Sequence, residues 1–184
     1  MRAGCAIVLL LLAGCHGRVA DYPSYGAVPA FQLTDQSGRA FDSTTLAGRV
    51  WVADFMFTSC PGPCPRMTSQ MREVQEATRD LANVRLVSFT VDPERDTPFV
   101  LAEYAKLHHA ETQSWYFLTG AQSALHHLGR DVFKLNNVDG TLNHSTRFVL
   151  VDARGQIRGY YDTSEPDSIR MLISDVRALA NQRT

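Results

Sequence analysis

Nine consecutive residues, Arg49-Val50-Trp51-Val52-Ala53-Asp54-Phe55-Met56-Phe57, carry only two polar side chains. A run that is β-branched, aromatic and apolar almost throughout does not alternate, so it does not suit a strand with one face in water. It suits a strand buried on both faces, which happens in parallel sheets covered by helices. Such a strand belongs inside a parallel sheet, which points towards an α/β architecture.

The remaining periodicities fall in around it. Phe31-Gln32-Leu33-Thr34 and Arg39-Ala40-Phe41 flank the turn signal Asp35-Gln36-Ser37-Gly38, so the domain is expected to open with a β-hairpin. Pro63 to about Leu81 reads as a helix, Val84 to Val91 as a strand, Pro98 to His109 as a helix and Ser114 to Leu118 as a strand. Thr97 before Pro98 reads as an N-cap followed by proline in the first helical position. A helix from Ala121 to about Arg130 precedes a polar loop over Asp131 to Asn143, in which Asp139-Gly140 is expected to turn a small hairpin. Two strands, Thr146 to Val151 and Gln156 to Tyr161, pair across Asp152-Ala153-Arg154-Gly155, and a helix closes the chain from about Pro166 to Ala180. Alternating strands and helices with a terminal hairpin give a sandwich with a mixed sheet.

The long strand hands over to its helix through Thr58-Ser59-Cys60-Pro61-Gly62-Pro63-Cys64-Pro65. That is the carboxyl end of a strand and the amino end of a helix, where sites gather in open α/β sheets. Cysteines four residues apart on a helix stack on one face, so two sulfurs converge, ready to close a disulfide or to hold one soft metal ion. The positive end of the helix dipole is expected to lower their pKa values.

At the other end, Arg2 followed by the apolar run Ala6 to Leu12 reads as an export signal too short to span a membrane. Leu12-Ala13-Gly14-Cys15 looks like a bacterial lipobox. The expected organisation is a lipoprotein signal peptide over 1–14, a tether over 15–29 beginning at the lipidated Cys15, and one domain over 30–184. Cys5 leaves with the signal, and Cys60 and Cys64 have only each other to pair with. The expected location is extracytoplasmic, on the periplasmic side, as a membrane-anchored lipoprotein. There the resting pair is either a disulfide maintained by a dedicated reductant or metal-bound. The formal net charge of −1, with no basic run interleaved with aromatics, argues against a nucleic-acid partner.

Ala53-Asp54-Phe55 leading to Cys60 and Cys64 resembles a thioredoxin-fold active site, with Asp54 six residues before the first cysteine, although the spacing is Cys-x-x-x-Cys rather than Cys-x-x-Cys. Together with Thr90-Val91-Asp92-Pro93-Glu94-Arg95-Asp96-Thr97-Pro98 and with His144-Ser145-Thr146 leading into a strand, the chain is similar to the Sco/SenC family of copper proteins from about Pro29 to its last helix. The resemblance implies a thioredoxin-like α/β sandwich, a mixed central sheet flanked by helices with an N-terminal β-hairpin. It further implies that Cys60, Cys64 and His144 bind one copper ion, Cu(I) or Cu(II), as a metallochaperone assisting assembly of the dinuclear copper centre of cytochrome c oxidase. The partner is then the copper-bearing oxidase subunit or another copper or thiol protein. Donor chemistry agrees: two thiolates suit Cu(I), and an imidazole extends the set to Cu(II).

Thioredoxins carry a proline in the loop facing their cysteines. Thr141 to Arg147 contains none, and a histidine stands there. Asp54 pulls towards thiol exchange, because a carboxylate in an apolar strand has its pKa raised and can relay a proton, although a neighbouring hydroxyl would satisfy it equally well. Asp92 is either a turn residue or, by the resemblance, a group close to the copper site. Met56 reads as core filler, and His108-His109 and His126-His127 as solvated helix faces. The competing functions are an extracytoplasmic thiol-disulfide oxidoreductase, with Cys60 attacking and Cys64 resolving, and a copper sensor.

Overall fold

The computed structural model describes residues 22–135 and 145–182. The non-alternating run forms β3 (Val50–Met56), buried at every position. It pairs in parallel with β4 (Val84–Thr90), which pairs in parallel with β5 (Trp115–Thr119). The hairpin β1 (Gln32–Asp35) and β2 (Ala40–Asp42) adds antiparallel to β5. On the other side β6 (Arg147–Val151) pairs antiparallel with β3 and carries β7 (Ile157–Asp162). The order β2-β1-β5-β4-β3-β6-β7 makes one mixed seven-stranded sheet with β3 and β4 in its middle.

Period-two alternation assigns the two faces. On one face Asp54, Ser88, Trp115 and Phe117 point towards α1 (Cys64–Ala77) and α2 (Pro98–Leu107), where Tyr104 packs edge-on against Phe117 and hydrogen-bonds Thr68. The closing helix α4 (Ser168–Ala180) lies against α1, β3 and β7. On the other face Trp51, Phe55 and Phe89 surround the ring of Phe133, and Phe31 closes over Phe89. β3 is thus buried from both sides, as its composition requires.

Ends of elements follow local chemistry. Thr97 caps α2 by accepting the Val100 N–H at 3.4 Å, with Pro98 in the first turn. The β6–β7 connection turns on Asp152, whose Oδ1 accepts the N–H groups of Arg154 and Gln156 at 2.9 Å, and on Gly155 at φ +74°. Helix α1 stops at Ala77, four residues before the expected end, because the Thr78 hydroxyl turns back onto the Val74 carbonyl at 2.8 Å.

The helix expected over Ala121–Arg130 and the start of the loop after it are corrected. The helix expected over Ala121–Arg130 is α3 (Gln122–His126) continued by a wider π-helical stretch, His127–Val132, with Phe133 N–H donating to Leu128 O at 2.8 Å. Gly129 weakens the ordinary helix there, and the wider turn delivers Phe133 into the aromatic cluster. The loop from Asp131 is therefore not polar at its start, since Phe133 and Leu135 are buried. Residues 22–28, expected within the tether, run along β7: Tyr25 N–H donates to Ile157 O at 3.0 Å and Val28 N–H to Gly155 O at 2.9 Å. Tyr22 and Tyr161 both donate to Asp175, at 2.9 and 2.6 Å. The expected signal segment, lipid site Cys15 and Asp139-Gly140 hairpin lie outside the described residues.

Candidate metal and thiol centre

Cys60 and Cys64 sit beyond the carboxyl end of β3, but not both on the helix. Helix α1 begins at Cys64, with Pro63 in the capping position and Pro65 in its first turn. Cys60 belongs to the preceding turn, where its own N–H donates to Phe57 O at 3.3 Å and its sulfur accepts the Gly62 N–H at 3.4 Å. The expected one-turn stacking is replaced by a folded-back loop that still brings the two thiols into hydrogen-bonding contact. Both are thiols rather than a disulfide.

The two sulfurs differ in environment. Cys60 is half-buried and Cys64 is 1% exposed. Burial pushes the Cys64 thiol well above its usual range; the backbone at Phe57 works against the rise, while contact with Cys60 and the field of Asp54 add to it. This corrects the expectation of a dipole-lowered pKa: desolvation of a buried sulfur outweighs the partial charge of the helix end.

Asp54 is 1% exposed on the face that carries α1. Burial raises its pKa to about 7, and the hydrogen bond from Ser88 Oγ, at 2.6 Å, opposes the rise. Ser88 Oγ in turn accepts Trp115 Nε1–H at 2.9 Å. The raised acid and the satisfying hydroxyl, alternatives in the sequence, are both present. Tyr104, whose hydroxyl meets Thr68 Oγ1 at 2.6 Å, is pushed up to about 12, chiefly by burial.

Asp92 is buried just past β4. Its N–H donates to Thr90 Oγ1 at 2.9 Å, and its Oδ2 stands 3.7 Å from Arg95 Nε without a hydrogen bond among the described residues. Met56 is buried in the core. His108 lies half-buried on the Tyr104 ring at 4.3 Å, His126 is half-buried, and His127 pairs with Asp131 at 3.0 Å. Among the described residues no three His, Cys, Asp or Glu side chains gather as a metal site. His144 lies outside the described residues. Ser145, the next residue, is buried, and the antiparallel register of β6 against β3 puts the start of β6 beside the end of β3 that leads to the cysteines.

Residues 21–181 match the SCO1/SenC family. The chain belongs to that family. The SCO1 protein homolog of Bacillus subtilis strain 168 is 33% identical over 178 residues, 94% of this chain and 92% of its own. A relative from Stutzerimonas stutzeri, described by name as copper-binding, is 33% identical over 146 residues, 75% of this chain and 70% of its own. The solved structure of BsSco, described as having a disulfide switch and as a member of the Sco family of cytochrome c oxidase assembly proteins, aligns with a TM-score of 0.77 at 32% identity. The alignment covers 90% of this chain and 99% of that one. The thioredoxin-like sandwich expected from the sequence is thus the fold of this Sco chain.

One residue of the centre had no separate reading in the sequence. Asp96, 0% exposed, accepts hydrogen bonds from the Thr58 N–H at 3.1 Å, from the Thr58 hydroxyl and from the Thr90 hydroxyl at 2.5 Å. Its signal was its place between Asp92 and the Thr97 cap, in a segment that follows a buried strand directly.

Proposed function

We propose that this chain is a copper metallochaperone that holds one copper ion through Cys60, Cys64 and His144 and assists assembly of the copper centre of cytochrome c oxidase. One observation carries the reading: two sulfurs meet at the end of the sheet beyond β3, one of them reachable from solvent and the other buried. That donor set fits a soft monovalent ion, and copper binds it ahead of other first-row metals. The chain entering β6 at the same end supports His144 as the third ligand, which the Cu(II) state needs more than Cu(I) does. The names carried by the relatives, copper-binding and oxidase assembly, point the same way. The lipobox at Cys15 supports delivery from a membrane-tethered, extracytoplasmic position.

Cys60, Cys64 and His144 accept and release the cargo. Cys64 gives up a proton when it takes copper, because burial keeps it protonated in the metal-free domain. The half-buried Cys60, the more accessible of the two, is the sulfur an acceptor thiol reaches first.

Anaerobic copper titration of the reduced domain tests the reading. One ion is expected to bind tightly in each oxidation state, with Cys60→Ser and Cys64→Ser losing both and His144→Ala losing more Cu(II) than Cu(I) affinity. Unchanged Cu(II) affinity in His144→Ala sinks the third ligand.

The contrast between a reachable Cys60 and a buried Cys64 beside Asp54 favours one second reading, thiol-disulfide exchange with a partner protein. In that reaction Cys60 attacks, Cys64 resolves the mixed disulfide and the partner disulfide leaves as two thiols. A stable mixed disulfide trapped on Cys64→Ser supports it, and weak copper binding beside a working redox couple decides for it. A sensor without delivery is separated by direct transfer of copper to an acceptor.

A further inference from the structure

Because Cys60 precedes the helix, its distance from Cys64 is not dictated by helical geometry. It depends on how the turn from Phe57 to Pro63 is held. Within the turn, Cys60 bonds to its neighbours Phe57 and Gly62 through the backbone and sulfur bonds described above, and its sulfur meets Cys64. Asp96 joins this turn to the segment that follows β4 by taking both donors of Thr58, two residues before Cys60.

Asp96 is itself rigidly held. Its N–H donates to Asp92 O at 2.9 Å, the Thr90 hydroxyl at the end of β4 donates to its Oδ2, and the Asp92 N–H donates to that same hydroxyl at 2.9 Å. Beside it the parallel ladder continues one residue past β4, with Val91 N–H donating to O of Met56, the last residue of β3, at 2.9 Å. One carboxyl group thus fastens three segments together: the end of β4, the turn that leads into α2, and the cysteine turn. Such a fully buried carboxyl group in a connecting segment is costly without donors, and its three donors converge from both sides of the strand exit.

We propose that Asp96 is the positioning residue of the dithiol: through Thr58 it fixes where Cys60 stands relative to Cys64, and so sets how readily the pair closes a disulfide or shares one ion. The proposal rests on the pair being the reactive centre, whichever of copper binding or thiol exchange it serves. Preorganisation acts here as effective concentration: the better Cys60 is held, the less entropy is lost when the two sulfurs join.

The experiment is metal-free equilibration with glutathione, in which two cysteine thiols and one glutathione disulfide become the protein disulfide and two glutathione thiols. Thr58→Val keeps the shape and the N–H but removes the hydroxyl donor, Thr58→Ser restores it, and Asp96→Asn replaces an acceptor oxygen with a donor. The equilibrium constant for disulfide formation is expected to fall about fivefold in Thr58→Val, at least tenfold in Asp96→Asn, and to return to within twofold of the parent in Thr58→Ser. Unfolding midpoints measured in parallel separate positioning from stability. Variants that lower the midpoint while the equilibrium constant stays at the parent value overturn the proposal. Should Asp96→Asn fail to fold, the Thr58 pair decides alone. Absence of copper binding by the parent would overturn the proposed function and leave this inference standing, since its readout contains no metal.

Discussion

Ser88 donates from its hydroxyl to Oδ1 of Asp54 across the β3–β4 pair at 2.6 Å, and the two residues are direct neighbours in the parallel register. An acid in the middle of a strand buried on both faces is thereby given one donor and little else, because the second partner in the chain, Trp115, bonds to Ser88 rather than to the carboxyl group. One hydrogen bond does not offset desolvation, and Asp54 holds its proton up to about pH 7.

The pH dependence of stability follows. In the unfolded chain the Asp54 carboxyl ionises near its ordinary value of 3.8, whereas in the folded chain it does so at about 7. Between those values the folded state binds a proton that the unfolded state has lost, so this residue makes stability fall as pH rises through the window, and the full cost remains above it. Asp54→Asn removes the titration. The variant is expected to match the parent near pH 4 and to exceed it by a few kcal/mol, on the order of 3, at pH 8. Guanidinium unfolding at both values checks this, and a constant difference between the two chains would contradict it.

Ser88→Ala strands two buried groups at once, the Asp54 oxygen and the Trp115 indole N–H. Each unsatisfied group costs about 1–3 kcal/mol, so a loss of roughly 2–5 kcal/mol is expected with an unchanged denaturant slope. The same change removes the interaction that holds the Asp54 pKa down. The pH at which Asp54 ionises should therefore move higher still, visible as a stability window extending above pH 7.

How much of this was legible in the sequence depends on whether the information was local. The run Arg49–Phe57 has one physical solution, a doubly covered strand, and β3 occupies all but its two ends. The Thr97–Pro98 start of α2 and the Asp152–Gly155 turn are likewise carried by adjacent residues. The position of Cys60 was not local: residue spacing suggested a helical stack, whereas prolines on both sides of Cys64 and the grip of Asp96 on Thr58 hold Cys60 in a separate turn. Asp54 was visible as an anomaly in an apolar run, but naming Ser88 as its partner needed the register of two strands separated by a whole helix. The π-helical stretch at His127–Val132 was hidden for the same reason, since its cause is the distant aromatic cluster that receives Phe133.

The unequal burial of the two cysteines gives a kinetic expectation. Only the thiolate alkylates, and access limits it further. Cys64 is buried with its thiol pushed up, while Cys60 reaches solvent. Iodoacetamide on the reduced protein at pH 8 should label Cys60 at least about tenfold faster than Cys64. Peptide mass mapping reads the ratio, and full labelling of Cys64 should appear only after unfolding. Comparable rates on the folded protein would mean that the turn opens far more readily than its hydrogen bonds imply.

The same raised thiol makes copper uptake a proton-releasing event. In the metal-free domain Cys64 remains protonated throughout the neutral range, because burial disfavours its thiolate and the nearby Asp54 and Cys60 add to the effect. A copper–thiolate bond requires that proton to leave, so the apparent affinity must rise with pH, by about tenfold per pH unit for each proton displaced. Between pH 6.5 and 8.5 the Cu(I) affinity, measured against a chelator whose own protonation is known, should follow a slope of at least one. The Cys64→Ser variant should lose both the tight binding and one unit of that slope. A flat profile in the parent would require both sulfurs to be ionised before the metal arrives, which conflicts with a Cys64 thiol enclosed by Phe57, Cys60 and the first turn of α1.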